Sequence, residues 1–348
     1  MRNREYGSDF HYNSEEKWNL EANIPSVFDA IDFSFFFSGR AVLYALLEQG
    51  INNKGWGKVY FPSFYCHEVV EFVRNLNIEI LYYPFNPFLD SEEMQLDIED
   101  SPLNVIVNVN YFGLKKINLN HYTQSIILED VTHSILDYKN SKATYCFGSL
   151  RKELPVPVGG FCYSPKKLAL PQPIANFECD AIAVQKLTAM YLKKIYLEGT
   201  FKDKEVYRNL FIEAENEFGT LFSKSAMPKI AKTILFGFDS NAIIESKKDN
   251  VKIAISLLNE TTKLKVNFGL NLQGFGLVLE LFSEEEKNDL KNTLIDKSIF
   301  PATLWPNQKL SRDQLVENKT LFIHLDYRYS SSDVVYIINC IKNHFRHD

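Results

Sequence analysis

Short apolar runs alternate with helix-like stretches through the first half of the chain. Residues 104–109 form an almost continuous apolar run, which is typical of a strand buried on both faces of a parallel sheet. Other apolar runs predict strands at residues 58–61, 79–83, 125–128 and 159–163. Helices are predicted at residues 40–49, where Gly50 is expected to end the helix, and at residues 68–75. This alternation predicts right-handed crossovers and an α/β fold with a mostly parallel sheet.

Longer helical patterns dominate the second half of the chain. They predict helices at residues 181–197, 205–218, 284–296 and 332–344. A polar stretch at residues 246–250 is expected to precede a further helix that continues to Leu258, and residues 277–281 and 321–325 predict strands. The expected parts are an N-terminal arm over residues 1–30, a large α/β domain over 31–240 and a smaller C-terminal α+β domain over 245–348.

Composition and charge limit the kinds of function. The 348 residues carry a net charge of −6, and the basic residues form no stripe, so no nucleic-acid-binding surface is indicated. The cysteines number five, with no CxxC pair and no metal-like spacing, which favours reduced thiols and no metal site. No apolar run approaches the roughly 20 residues of a membrane span, and the N-terminus lacks a signal-peptide core. We expect a cytoplasmic protein without a nucleic-acid or membrane partner.

An acidic residue follows one of the predicted strands. Asp130 comes at the end of the run around residues 125–128, and ligands of parallel α/β sheets gather at the carboxyl ends of strands. A carboxylate there suits the protonated pyridine nitrogen of a cofactor ring, although a helix N-cap or a surface acid explains the residue equally well. His133 could contact the same ring or its phenolic oxygen, but a lone histidine is more often structural.

One lysine differs from the others in its surroundings. Lys152 lies between the apolar residues 145–147 and a proline-rich segment, just before Gly159 and Gly160. A partly buried lysine there is expected to act as a nucleophilic amine. Ser149 precedes it and could donate its hydroxyl to a phosphate, or simply serve as a turn residue. This combination is typical of an enzyme that holds pyridoxal phosphate as an imine on lysine: it has an acid, a hydroxyl group, a lysine and a pair of glycines.

A second set of phosphate donors comes from Ser38, Gly39 and Arg40. They precede the helix predicted at residues 40–49, and a helix N-terminus offers bare N–H groups and a positive dipole end to an anion. Gly39 would allow close approach, and Arg40 would add a charge-assisted contact. The same three residues are also explained if Ser38 is an ordinary helix N-cap with no role in binding phosphate.

Short motifs along the whole chain occur in the order found in one protein family. They lie at residues 7–10, 38–41, 62–66, 109–113, 129–133, 149–152 with 159–160, and 326–330. On these motifs the chain resembles the DegT-type sugar aminotransferases, which are pyridoxal-phosphate enzymes of fold type I. Each motif is short, and their joint order carries the resemblance.

The resemblance implies a role for each site residue. Lys152 would be the Schiff-base lysine, Asp130 the partner of the pyridine nitrogen, and His133 the residue near the cofactor's oxygen. The cofactor phosphate would be held by Ser38, Gly39, Arg40 and Ser149. Such active sites usually form between two subunits, so the resemblance also implies a homodimer.

The chain departs from the family pattern at several positions. The residue that stacks on the cofactor in the family is Cys66 here, so Tyr65 or His67 is expected to stack instead. Asn110 stands where the family often has histidine, lining the pocket. The asparagine-, tyrosine- and arginine-rich motif that brings a phosphate contact from the second subunit has no clear match in residues 170–220.

The expected activity is amino-group transfer from glutamate to a keto-sugar nucleotide, in surface-polysaccharide or amino-sugar biosynthesis, with pyridoxal 5'-phosphate as cofactor. The alternative is a protein that keeps the fold, with or without the cofactor, but does not turn over. Relatives that deoxygenate sugars carry histidine in place of the lysine, and Lys152 argues against that reaction.

Overall fold

The computed structural model describes residues 4–12, 28, 32–218, 223–258, 264–267 and 276–346. The chain divides into two compact units, one of residues Phe10–Ser240 and the other of Met1–Asp9 together with Asn241–Asp348. Most of the expected N-terminal arm over residues 1–30, namely residues 1–3, 13–27 and 29–30, lies outside the described residues. The domain boundaries expected from the sequence remain a prediction.

The strands and helices follow one another in the predicted alternation through the first unit. The strands are β1 (Tyr6–Gly7), β2 (Phe33–Phe36), β3 (Lys58–Pro62), β4 (Glu79–Tyr83), β5 (Asn104–Val109), β6 (Ile126–Asp130), β7 (Tyr145–Ser149), β8 (Gly160–Tyr163), β9 (Leu264–Asn267), β10 (Leu277–Leu281), β11 (Ile299–Phe300) and β12 (Thr320–Ile323). The helices are α1 (Gly39–Lys54), α2 (His67–Phe72), α3 (Phe177–Leu197), α4 (Lys204–Glu217), α5 (Lys229–Phe236), α6 (Ser240–Leu257), α7 (Glu284–Asp296), α8 (Ser311–Glu317) and α9 (Ser331–Arg346).

The first unit is built on a sheet with the strand order β2-β8-β7-β6-β5-β3-β4. Strands β4, β3, β5, β6 and β7 run parallel, and β8 is antiparallel to both of its neighbours. Every residue of β5 is buried, as its continuous apolar run predicted. The predicted pairing of the 104–109 and 125–128 runs is confirmed, with Val107 opposite Leu128. The mostly parallel α/β sheet is therefore confirmed as well.

Helix α1 begins and ends at conventional caps. The Ser38 hydroxyl accepts a hydrogen bond from the N–H of Ala41 at 3.2 Å, and Gly55 follows the last turn with a φ of 71°. The expectation that Gly50 ends the helix is wrong. Gly50 lies inside α1, where a Cβ atom would lie 1.9 Å from the ring of Trp56. The glycine is needed for close packing of that ring and not for a turn.

The C-terminal unit has a smaller antiparallel sheet with the order β12-β10-β9, and within this unit β1 pairs in parallel with β11. The expectation that residues 246–250 precede a helix is wrong, because they lie inside α6. Asn250 is buried there, and its amide donates to the carbonyl oxygen of Asp326 at 2.9 Å. A polar residue inside this helix therefore has a buried partner. Among the described residues, no helix has the length and apolarity to cross a membrane.

Candidate active site

The predicted site residues come together at one edge of the large sheet. Asp130 is the last residue of β6 and Ser149 is the last residue of β7, while Asn110 directly follows β5 and Cys66 lies a few residues beyond β3. These four strands are parallel, so their carboxyl ends meet at the same edge. The topology thus gathers on one side what the sequence separates by more than eighty residues.

The Asp130 carboxylate is buried and accepts hydrogen bonds on both oxygens. The backbone N–H of Thr132 donates to Oδ1 at 2.9 Å, and the Tyr65 hydroxyl donates to Oδ2 at 2.6 Å. Burial raises the pKa of Asp130 above its ordinary value, although the hydrogen bonds from Thr132 and Tyr65 act in the opposite direction. Burial and the nearby Asp130 carboxylate raise the pKa of Tyr65 well above its ordinary value, so this phenol stays a neutral donor.

The N-terminus of α1 packs against the ends of β7 and β8. A Cβ atom on Gly39 would lie 3.2 Å from the Ser149 nitrogen, and one on Gly160 would lie 2.4 Å from the Ser38 carbonyl carbon. Glycine at positions 39 and 160 therefore lets the helix start approach two strand ends. Because Ala41 and Val42 bond back to Ser38, the N–H groups of Gly39 and Arg40 have no acceptor within α1 itself.

Thr132 connects the two halves of this cluster, and sequence reasoning assigned it no role. Its hydroxyl accepts a hydrogen bond from the backbone N–H of Ser149 at 3.1 Å, while its own N–H binds Asp130. The spacing of Asp130 and Thr132 is that of an Asx turn, which is the only signal that could have indicated the residue. The link to Ser149 depends on β7 lying beside β6.

Lys152 lies in a short 3₁₀ turn, Leu150–Lys152, that directly follows β7. The N–H of Leu150 donates to the carbonyl oxygen of Gly159 at 3.0 Å, which holds the turn against the start of β8. The expectation of a partly buried lysine is wrong, because Lys152 is exposed. The turn buries Leu150, Glu153 and Leu154 and leaves Lys152 at the surface.

Two of the predicted residues have partners that the sequence did not indicate. The Arg40 guanidinium forms an ion pair with the carboxylate of Glu68 on α2 at 2.7 Å. The Asn110 amide donates to the carboxylate of Asp137 at 2.6 Å. Both side chains are therefore positioned by carboxylates at the rim of the cluster.

The candidates for ring stacking differ in their surroundings. The Tyr65 ring is buried and lies nearly parallel to that of Phe61, with the ring centroids 5.9 Å apart. His133 is also buried and stacks on Phe112 at 5.7 Å. Cys66 is partly exposed; burial raises the pKa of its thiol, and the charges of Arg40 and Lys152 lower it in part. Cys66 thus lies within electrostatic range of both cations.

A group of charges next to Lys152 was missed by sequence reasoning. The Arg151 guanidinium lies 2.8 Å from the Glu215 carboxylate, which also pairs with the buried Lys186 ammonium. Both cations lie 4.8 Å from the Phe218 ring centroid. Burial alone would raise the pKa of Glu215, but the charges of Arg151 and Lys186 lower it to about 2. The group joins the turn after β7 to helices α3 and α4.

Solved structures share this fold at low sequence identity. No protein-family model matches the chain, and neither does any curated protein. PseC from Helicobacter pylori, an aminotransferase involved in the biosynthesis of pseudoaminic acid, is 9% identical with a TM-score of 0.59, covering 99% of this chain and 100% of that one. The putative sugar aminotransferase Spr1654 from Streptococcus pneumoniae, in its PMP form, is 13% identical with a TM-score of 0.58, covering 90% and 85%.

DesI, solved in the presence of its TDP-sugar product, is 12% identical with a TM-score of 0.56, covering 89% of this chain and 79% of that one. The chain therefore has the fold of the sugar aminotransferases. This confirms the fold-type-I architecture that the motif resemblance predicted.

Proposed function

We propose that the chain is a pyridoxal-phosphate-dependent aminotransferase that moves an amino group from glutamate to a keto-sugar nucleotide. The observation that carries the proposal is the hydrogen-bonded line from Asp130 through Thr132 to Ser149, which lies against the start of α1. The Asp130 carboxylate and the N-terminus of α1, which is suited to bind an anion, therefore lie at opposite ends of one cluster.

The chemistry of these residues fits the cofactor. The N–H groups at the start of α1, which have no acceptor within the helix, and the neighbouring Ser149 would hold the phosphate. The Asp130 carboxylate would form an ion pair with the protonated pyridine nitrogen. When bound, pyridoxal phosphate supplies an aldehyde that exchanges amines and a ring that withdraws electrons.

Covalent attachment and proton transfer would be carried out by side chains of the protein. Lys152, in the turn after β7, would bond the cofactor covalently and then, once released, move protons as a general base. Lys152 is exposed in that turn, and its charge acts on Cys66 at the same edge of the sheet. His133, buried on Phe112, would line the site near the cofactor's oxygen.

The substrate class is proposed from the structural relatives. DesI was solved with a TDP-sugar product, and PseC acts in pseudoaminic acid biosynthesis. A keto-sugar nucleotide as amino acceptor, with glutamate as donor, places the chain in amino-sugar or surface-polysaccharide biosynthesis. All five cysteines are free, which supports the reducing environment of the cytoplasm.

We also propose a homodimer. Phe177, Val184 and Tyr191 follow one another at seven-residue intervals on α3 and so share one face of the helix. Their exposed fractions are 84%, 50% and 51%, which is a costly surface for an isolated subunit. A second copy of the chain would cover this α3 stripe through a two-fold contact. The domains expected at residues 31–240 and 245–348 are kept as part of the proposal.

Borohydride reduction and glutamate turnover test the activity. The purified chain should be yellow with pyridoxal phosphate, lose that absorbance on borohydride treatment, and carry the cofactor covalently on Lys152. In a separate sample that has not been treated with borohydride, glutamate should convert the bound cofactor to the amine form with release of 2-oxoglutarate, and a keto-sugar nucleotide should reverse the change.

The matched variants are Lys152→Ala and Lys166→Ala, which both change exposed lysines near the sheet. Only the first should lose the absorbance and the turnover. Cofactor binding without amine exchange from any donor would support the non-turnover alternative, and normal exchange by Lys152→Ala would overturn the proposal.

A further inference from the structure

Tyr65 is placed differently from a residue that stacks on a cofactor ring. Its hydroxyl donates to Asp130 Oδ2 at 2.6 Å. Its ring is 1% exposed and lies nearly parallel to the Phe61 ring at 5.9 Å. A side chain so enclosed has no open ring face to offer a ligand.

The loop that carries Tyr65 is held from both sides. The N–H of Ser63 donates to the Tyr83 carbonyl at 2.8 Å, and the N–H of Phe64 donates to the Phe85 carbonyl at 3.3 Å. The Tyr111 hydroxyl donates to the Phe64 carbonyl at 2.8 Å. The phenol therefore meets Asp130 from a fixed backbone, and the hydrogen bond does not depend on a mobile side chain.

The geometry leaves Asp130 able to accept a further donor. Thr132 and Tyr65 each use one lone pair on a different carboxylate oxygen, and a carboxylate has about four such sites. Donation by two fixed groups stabilises the ionised form and fixes the plane of the carboxylate. Burial disfavours the ionised form, and the hydrogen bonds from Thr132 and Tyr65 act against burial in favour of the charge.

We propose that Tyr65 is a positioning residue that keeps Asp130 ionised and oriented, and that it is not the ring-stacking residue. The proposal rests on the proposed function only where it gives Asp130 a cofactor to meet. The claim that Tyr65 keeps Asp130 ionised concerns the protein alone and does not require a bound cofactor. The other titratable groups around the pair are Glu129 on β6, Cys66 beside Tyr65, and Tyr111 after β5. His133 and Lys152 lie in the turns at the same sheet edge.

The test compares Tyr65→Phe with Tyr83→Phe in the full-length chain. Each change removes one buried hydroxyl and keeps the ring, but the Tyr83 hydroxyl donates to the backbone carbonyl of Val107 at 2.7 Å and not to a carboxylate. Without added cofactor, the apparent melting temperature is measured from about pH 5 to about pH 8.

The raised pKa of Asp130 determines how the melting-temperature loss of Tyr65→Phe should change with pH. An acid whose folded pKa is raised loses stability as the pH rises from its unfolded pKa toward the folded one, and removing the Tyr65 hydroxyl should raise the folded pKa further. The melting-temperature loss of Tyr65→Phe should therefore grow as the pH rises, while that of Tyr83→Phe should stay constant. Equal pH dependence of the two variants would overturn the ionisation role.

The second measurement is the affinity for pyridoxal phosphate, followed by absorbance titration. Tyr65→Phe should weaken binding by about tenfold or more and lower kcat more than it raises KM, whereas Tyr83→Phe should change neither. If Tyr65 stacked on the ring, the phenylalanine variant would bind normally, and that result would overturn the positioning role. If the wild-type chain binds no cofactor, the proposed function fails while the pH comparison still decides the ionisation role.

Discussion

Ser149 donates its backbone N–H to Thr132 Oγ1 at 3.1 Å, which joins the end of β7 to the turn after β6. At the other end of the same two strands, the N–H of Ile127 donates to Thr144 Oγ1 at 3.2 Å. The two threonines thus make equivalent strand-to-strand bonds, but only Thr132 lies at the edge that holds Asp130. Changes at Thr132 and Thr144 can therefore distinguish an effect on the stability of the sheet from an effect on the candidate active site.

The first prediction concerns the hydroxyl of Thr132. Thr132→Val keeps the side-chain shape and leaves the Ser149 N–H without its acceptor, so the free energy of unfolding should fall by about 1 kcal/mol. The affinity for pyridoxal phosphate should fall by about tenfold, measured by titration. Thr144→Val should cost similar stability and leave the affinity unchanged. Equal affinities in the two variants would contradict the assignment of this edge.

Continuous apolar runs made part of the fold predictable. Residues 79–83, 104–109 and 284–296 were predicted with the bounds that the structure has. The first two are short apolar runs whose partners lie in the sheet, and the third begins after Ser283, whose hydroxyl accepts from the Glu286 N–H as an N-cap should. In these segments local preference and tertiary burial agree.

The rest depended on tertiary contacts that no local pattern contains. Gly50 lies inside α1 because the Trp56 ring packs against it, and Asn250 lies inside α6 because its amide has buried carbonyl partners. The same holds for the candidate site. The sequence indicated Asp130 and Ser149, but the part played by Thr132 and Tyr65 follows from which strands are neighbours.

The second prediction concerns the contact between Gly160 and the start of α1. A Cβ atom at this position would lie 2.4 Å from the Ser38 carbonyl carbon and 2.5 Å from the Gly39 nitrogen, so backbone must move. Gly160→Ala should lower the free energy of unfolding by about 3 kcal/mol and weaken cofactor binding. Gly57→Ala, where no atom lies within 4 Å, should stay within about 0.5 kcal/mol of wild type. Chemical denaturation measures both.

The third prediction concerns Glu215. Its lowered pKa contributes stability that is full above the ordinary value of 4.5 and is lost as the pH falls toward about 2. Its side chain is 36% exposed, so solvent screening reduces the expected loss for Glu215→Gln to about 2 kcal/mol at neutral pH. That loss should shrink between about pH 4.5 and pH 3. Glu213→Gln, at an exposed acid on the same helix, is the control and should lose much less stability at neutral pH.

The fourth prediction concerns the α3 stripe. Phe177→Ser removes its most exposed apolar side chain, so the dimer should dissociate at about tenfold higher concentration, measured by light scattering over a dilution series. Ile212→Ser, at an exposed apolar position on α4, is the control and should leave the dissociation constant unchanged. A wild-type chain that is monomeric at micromolar concentration would contradict the proposed homodimer.

The last prediction separates stability from activity at neighbouring acids of β6. Asp130→Asn removes a buried charge whose pKa burial raises, so the cofactor-free chain should melt at a higher temperature near neutral pH, and the difference should vanish in acid. Turnover should fall by at least about 10²-fold, since the ring nitrogen loses its charge partner. Glu129→Gln should behave oppositely. Glu129 pairs with Lys116 and Ser141, so its loss should lower stability with little effect on turnover. If both variants lost activity and stability together, Asp130 would be a structural acid, and the proposed site would lose its central residue.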